Sequence, residues 1–297
     1  MSSPASSAFT DSTALVGDAD ALRARMAADG YLFLRGLVDR DALLAVRREI
    51  ARLCQRHGWL LPGSDPLDAI VGTAPTREGD ERYMRLYDDV QRLESFHALA
   101  HDAGVLGVIG TLVDEDVLAH PRNIARVIFP SFTRYTTPPH QDFVHIQGTE
   151  AVYTAWIPLG DCAGDMGGLE ALAGSHRHGV LPPHQAEGAG GLGVDTDALG
   201  LTWVAGDMAA GDCLIFHSLT VHRGRDNVSA DRLRLSVDYR YQGASQPVTE
   251  GSLLPHFHRL TWDEIYREWE RGDLQYYWKK YELRTATFTR QWHEAAR

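Results

Sequence analysis

Cysteine is scarce in this chain: Cys54, Cys162 and Cys213 are the only three in 297 residues, and no two form a CxxC pair. That excludes a disulfide scaffold and a cysteine-built zinc site, and it fits reduced thiols packed as small core residues in the cytoplasm. Long apolar runs are missing too; no stretch approaches the roughly 18 residues of a membrane span, so no membrane partner is expected. Positive charge is in the minority, with 29 Lys and Arg against 40 Asp and Glu, a net −11. A chain so acidic lacks the basic face that phosphate backbones need, so no nucleic-acid partner is expected, although a buried pocket can still be locally cationic. Internal repeats and proline-rich linkers are absent, and the length suits one large mixed domain over residues 1–297. Residues 1–13 have neither a basic start nor an apolar run, and residues 1–16 are read as a polar, disordered terminus.

Periodicity divides the remainder into helices, strands and helices again. Residues 18–29 read as a helix, followed by an apolar strand at 31–35. Asp39 or Asp41 can cap a second helix, in which Leu43, Leu44, Val46, Ile50 and Leu53 recur at helical spacing. Residues 61–80, rich in proline and glycine, are expected to be irregular, with a further helix within 88–104. From about 122 to 242 short runs of Val, Ile, Phe, Tyr and Trp alternate with turn residues, the rhythm of β-strands. The glycine-rich stretch 182–205 is expected to be a mobile loop. Residues 261–293 read as helix, with Trp262, Tyr266, Trp269, Tyr276, Tyr277 and Trp278 packing against the sheet. The fold class is therefore α+β, mainly β: one sandwich or barrel flanked by N- and C-terminal helices.

Among 14 histidines, one stands in an HxD triplet, His140-Gln141-Asp142. On a strand, residues i and i+2 share a face, so the triplet presents an imidazole and a carboxylate to one ion. Two histidines and one carboxylate on a single face are the donor set of non-haem iron(II) oxygenases. A second cluster, Gly211-Asp-Cys-Leu-Ile-Phe-His217-Ser-Leu-Thr-Val-His222, follows downstream; read as one strand, it points His222 and His217 to opposite faces. Past it, strict alternation places Arg232, Arg234, Ser236 and Asp238 on one side, and Leu233, Leu235 and Val237 on the other. A row of arginines opposite an apolar face calls for an anionic partner such as a dicarboxylate, which a guanidinium fork matches bidentately.

These pieces make the chain resemble the phytanoyl-CoA dioxygenase-like family of Fe(II)/2-oxoglutarate-dependent oxygenases. The likeness runs from Asp29-Gly-Tyr-Leu-Phe-Leu-Arg-Gly36 to Gln242. It rests on HQD at 140–142, Ala155-Trp156, Gly-Ser-His at 174–176, the GD…H…H run at 211–222, and DRxR at 231–234. It implies a double-stranded β-helix, a jelly-roll barrel of the cupin kind, with His140, Asp142 and His222 as ligands of Fe(II). The family places an arginine for the far carboxylate of 2-oxoglutarate shortly after the distal histidine. Here Arg232 lies ten residues on (232 − 222) and Arg234 twelve (234 − 222). Arg234 completes the DRxR pattern, with Ser236 as an added hydroxyl donor; Arg232 stays open as the alternative. Trp156 matches a position that packs against the cosubstrate, and Arg126 on the preceding strand is taken as a second anchor.

The resemblance further implies oxidation of a small molecule, with a natural-product intermediate the preferred class, by O2 with release of succinate and CO2. The outcome is hydroxylation, desaturation or ring closure, and the retained Asp142 carboxylate argues against halogenation. A catalytically silent jelly-roll binding protein and a zinc-dependent hydrolase using the same ligands are the competing readings. The substrate pocket is expected to draw on residues 61–90, the 182–205 loop and the neighbours of the triplet. Arg82, Tyr83, Met84, Arg85 and Tyr87 offer either substrate contacts or a packing strip; for Phe143 and Trp203 core packing is the favoured reading. His145 and His217 are read as out of phase for the metal, and His176 as structural. The pattern leaves the oligomeric state unspecified.

Overall fold

A computed structural model describes residues 6–295. Five helices come before or between the first strands: α1 (Ala19–Asp29), α2 (Arg40–Arg56), α3 (Glu81–Gln91), α4 (Glu94–Ala98) and α5 (Ala103–Val113). Asp18 caps α1, and Gly30 ends it at φ 77°. That is a left-handed turn suited to glycine. Asp39, the first of the two expected capping residues, accepts from the Ala42 amide at the start of α2. The helix expected within 88–104 is present as α4, and α3 precedes it from Glu81 through the Arg82–Tyr87 strip, whose Tyr83, Met84, Leu86 and Tyr87 are buried while Arg85 faces water. Among the described residues no single helix is long and apolar enough to cross a membrane.

The strands are β1 (Ser7–Ala8), β2 (Tyr31–Leu34), β3 (Val117–Ala119), β4 (Ile124–Ile128), β5 (Val152–Pro158), β6 (Leu169–Leu172), β7 (Pro183–Gln185), β8 (Leu192–Val194), β9 (Trp203–Ala205), β10 (Cys213–His217), β11 (His222–Gly224), β12 (Arg234–Gly243) and a short parallel pair, β13 (Val248–Thr249) and β14 (Thr285–Ala286). Most of them build a major sheet, β2-β10-β5-β12-β3, with β4 also paired to β12, and a minor sheet, β1-β9-β6-β11; β7 pairs only with β8. The two sheets face each other as a jelly roll that is open along its edges, not a closed barrel. Period-two alternation sorts the side chains of the major sheet. Leu32, Leu34, Ala155, Ile157, Cys213, Ile215, Leu235 and Val237 pack outward with the helices in the larger core. Tyr31, Phe33, Trp156, Leu214 and Phe216 point inward, against Ala171 and Val204 of the minor sheet.

Three expectations need correction. Residues 6–16 are ordered: β1 pairs in parallel with β9, Phe9 is buried between the sheets, and the Thr10 amide donates to the Tyr31 hydroxyl. Phe9 is the large apolar residue that a compositional reading of a polar terminus passes over; residues 1–5 lie outside the described residues. The 182–205 segment holds the β7–β8 hairpin and β9, with Gly188, Gly190 and Gly191 in the turn between β7 and β8. The C-terminal stretch is not a run of helix. A capping box at Thr261 and Glu264 starts the four-residue α-helix Trp262–Ile265, after which short 3-10 turns carry the chain onward. Tyr276, Tyr277 and Trp278 are consecutive, and a helix cannot turn three successive rings to one side. Tyr276 instead adopts φ 52°, and Trp262, Tyr266 and Trp278 cluster on Leu118 and Val248, so the aromatics do pack as expected.

Candidate metal centre and anion pocket

His140 and Asp142 do not lie on a regular strand. His140 forms an isolated antiparallel bridge with His222, each amide donating to the other's carbonyl at 3.0 Å. Asp142 has already turned to helical dihedrals ahead of a one-turn helix, Phe143–Ile146. The intervening Gln141 fastens this bend. Its amide nitrogen donates to the Gly179 and Leu219 carbonyls, and its oxygen accepts from the Leu181 amide. His217 and His222 sit on two strands, β10 and β11, separated by a turn, so the single-strand phase argument gave the right partition for a different reason. His217 packs against Tyr153 and His176, away from the centre.

One ligating atom from each of His140, Asp142 and His222 lies within 4.8 Å of the others, and all three residues are buried. Each histidine holds its Nδ1 against a carbonyl, Pro138 for His140 at 2.9 Å and Thr220 for His222 at 3.1 Å. A carbonyl only accepts, so the ring proton resides on Nδ1 and the Nε2 lone pair is free to bind a cation. Burial, with the neighbouring His222, pushes the His140 pKa down to about 3, and burial lowers that of His222. Burial pushes the Asp142 carboxyl upward, but Arg240, both histidines and the Thr154 hydroxyl outweigh it and hold the group well below the usual carboxylate range. Thr154 donates to Oδ2 at 2.6 Å, and Arg240 Nη2 to Oδ1 at 3.1 Å. Two neutral imidazoles and one carboxylate, fixed before any cation arrives, fit a divalent metal with open positions.

Behind the triad, β12 presents its even-numbered residues. Arg234 is 5% exposed, donates from Nη1 to the Ser236 hydroxyl at 2.6 Å, and lies 5.7 Å from the Trp156 ring centre. Arg234 Nε and Trp156 Nε1 are both buried without an acceptor. Buried donors left open are costly, and a bound carboxylate satisfies them. Arg232 is exposed, and its carbonyl is taken by Asn227 and Ser229. Arg126 stands opposite Ser236 across the ladder but is bound to Asp238 at 2.7 Å. Sequence reading missed Arg240 and Thr154. Arg240 was recoverable, since it continues the 234, 236, 238 phase by one step; Thr154 carried no motif.

A cavity of about 370 Å³ opens over His140 and Asp142, the lower end of the range for small-molecule sites. Of the expected lining, Glu78, Thr137, His145, Ala189 and Gly190 take part; Arg122, Arg240, His256 and His258 were unforeseen. Trp203 packs on Arg223, at 4.2 Å, and away from the cavity.

Buried neutral histidines also set an acid limit. Burial pushes His97, His120 and His140 down to about 4, 4 and 3. The unfolded chain takes up their protons from about pH 6.5 downward while the folded chain does not, so stability falls as pH falls through that window. Each contributes about 1.4 kcal/mol per pH unit. Urea midpoints of metal-free protein between pH 7 and 5 are expected to drop steeply, losing roughly 6 kcal/mol; a flat profile would show these rings protonated in the fold.

Comparison with known proteins agrees with this geometry. The phytanoyl-CoA dioxygenase (PhyH) family model matches residues 26–235. A 1-deoxypentalenic acid 11-beta-hydroxylase of Streptomyces exfoliatus is 28% identical over 277 residues, covering 90% of this chain and 94% of the relative. Among solved structures, the non-haem alpha-ketoglutarate-dependent carbocyclase SnoK aligns over 81% of this chain and 89% of its own, with a TM-score of 0.56 at 20% identity. The epimerase SnoN, in complex with Fe3+, alpha-ketoglutarate and nogalamycin RO, aligns over 78% and 86%, with 0.55 at 22%. At those identities the two structures speak for the fold. The family match spans well over half of the sequence, and the chain belongs to the phytanoyl-CoA dioxygenase (PhyH) family.

Proposed function

We propose that the protein, acting as one oxygenase domain in the cytoplasm, is an Fe(II)- and 2-oxoglutarate-dependent dioxygenase. Its reaction is hydroxylation of a small natural-product molecule. The observation that carries the reading is the buried His140–Asp142–His222 triad beside the open donors of Arg234 and Trp156. Streptomyces relatives named as 1-deoxypentalenic acid 11-beta-hydroxylases support the substrate class.

When bound, iron(II) with 2-oxoglutarate and O2 supplies oxidation of an unactivated C–H bond, yielding the alcohol, succinate and CO2. The protein's part is geometric and electrostatic. His140 and His222 offer Nε2, and Asp142 offers Oδ1, with Arg240 and Thr154 keeping it ionised. Arg234 and Ser236 receive the far carboxylate of the cosubstrate, and Trp156 packs on its chain and lends an N–H. Arg126, already engaged by Asp238, lines the cavity rather than serving as a second anchor.

The test is an anaerobic titration of iron-loaded protein with 2-oxoglutarate, following the visible charge-transfer band. Arg234→Met should raise the 2-oxoglutarate midpoint about 100-fold, the worth of charge-assisted hydrogen bonds, whereas Arg232→Met should behave as wild type. A wild type that is folded and iron-loaded yet shows no band would refute the oxygenase reading in favour of a silent binding protein. The reverse ranking of the two variants would move the anchor to Arg232.

A further inference from the structure

The cavity over the triad is walled by three arginines, and their partners differ. Arg240 is bound to Asp142, and Arg126 to Asp238. Arg122, partly buried, has no carboxylate within ion-pair distance among the described residues; it donates to the Gly251 carbonyl at 2.9 Å and to His258 Nε2 at 3.1 Å. Both contacts use Nη1, which leaves the remaining N–H groups of the guanidinium for a ligand. A cation held out of bulk water without a counter-charge is unfavourable, and a bound anion relieves that.

The surrounding groups are donors as well. The Ala125 amide donates to the Tyr87 hydroxyl, which lies 2.7 Å from His256 Nδ1. With the phenol proton donated to Nδ1, the His256 proton stands on Nε2, the tautomer that offers an N–H to an anion in the cavity. The chain carrying these rings is strained to do so. Phe257 and His258 are successive non-glycine residues at φ 63° and 53°, an arrangement that costs about 1 kcal/mol or more per residue and is retained where position matters. Besides Asp142, which Arg240 neutralises, the cavity has one further acid, Glu78; it lies where the cavity meets a second chamber lined by Tyr83, Phe129, Phe132 and Tyr135, and both chambers share Arg126.

The structure assigns Arg122, with His256 beside it, as an anion subsite that takes a carboxylate of the substrate. The substrate is thus an acid with an apolar body, the body extending toward the aromatic chamber. This deepens the dioxygenase reading and rests on it. It also separates the two carboxylates of the reaction: the cosubstrate on Arg234 and the substrate on Arg122. Arg122 is here a specificity-determining residue.

The test uses protein loaded anaerobically with iron(II) and saturating 2-oxoglutarate, so that the cosubstrate place is filled. Calorimetry then compares two probes of one shape, cyclohexanecarboxylate and the uncharged cyclohexylmethanol. The wild type should bind the carboxylate at least tenfold more tightly than the carbinol. Arg122→Met should reduce that preference to within twofold, Arg122→Lys should keep part of it, and neither should move the 2-oxoglutarate midpoint. A preference that survives in Arg122→Met, or equal binding of both probes by wild type, overturns the assignment. So does a tenfold shift of the 2-oxoglutarate midpoint in Arg122→Met, which would make Arg122 a cosubstrate residue. Absence of the charge-transfer band in wild type instead marks failure of the dioxygenase reading, and is seen before any probe is added.

Discussion

His222→Ala should leave the protein folded and without measurable oxygenase activity, a fall of at least about 1,000-fold for a lost metal contribution of several kcal/mol. The backbone exchange between His140 and His222 does not use the ring, so the fold persists; circular dichroism and the urea midpoint should change little. What goes is one of two imidazoles already aimed by a carbonyl, leaving His140 and Asp142 as a two-point site. Iron content after dialysis and the anaerobic charge-transfer band are the readouts, and both should vanish together. His217→Ala is the internal control, because its ring packs on Tyr153 and His176. If His222→Ala keeps its iron while His217→Ala loses it, the triad is misassigned.

Arg240→Met is expected to act on stability before it acts on chemistry. Removing the guanidinium strands the Asp142 carboxylate, 4% exposed, with Thr154 as its remaining hydrogen-bond donor. Breaking such a buried pair costs about 3–5 kcal/mol, which lowers the melting temperature of metal-free protein by roughly 10 °C. Iron(II) supplies a replacement positive charge, so metal should recover much of the loss, and the stabilisation by metal should be larger in the variant than in wild type. The sign with pH follows. Asp142 is held ionised in the fold, so its contribution is present above the unfolded carboxyl value and is lost on acidification through the folded one. Without Arg240 that loss moves to higher pH. Equal melting temperatures of metal-free wild type and variant would show that Arg240 does not hold the carboxylate.

Alternation and capping were the most legible features. The helix 18–29, the strand at 31 and the two-faced strand at 233–238 follow from local chemistry: Asp18 and Gly30 bound the first, an unbroken apolar run makes the second, and strict alternation marks the third. The triad was legible through its residue types and order, although its geometry was not: a strand was expected where a bridge and a bend locked by Gln141 do the work. Arg122, His256 and His258 could not be read, because they converge from a segment before β4 and a strained turn after β12, and nothing local marks that meeting. The C-terminal segment failed for the opposite reason. Its local signal for helix was real at Thr261, but burial of consecutive rings overrode it.

The two-faced strand β12 has a consequence for how such a protein can diverge. Its odd-numbered residues, Leu235, Val237, Tyr239 and Tyr241, lie in the helix-covered core, while Arg234, Ser236, Asp238 and Arg240 face the chemistry. Inserting or deleting one residue there would exchange the two sets, driving arginines into hydrocarbon and taking the charged groups out of the interior. Such a chain would not fold into a wrongly equipped enzyme; it would not fold. Length changes in the 186–191 turn, whose Gly188, Ala189 and Gly190 border the cavities, meet no such penalty. New substrates are therefore reached by editing loops, under a reaction apparatus that the folding requirement itself keeps constant.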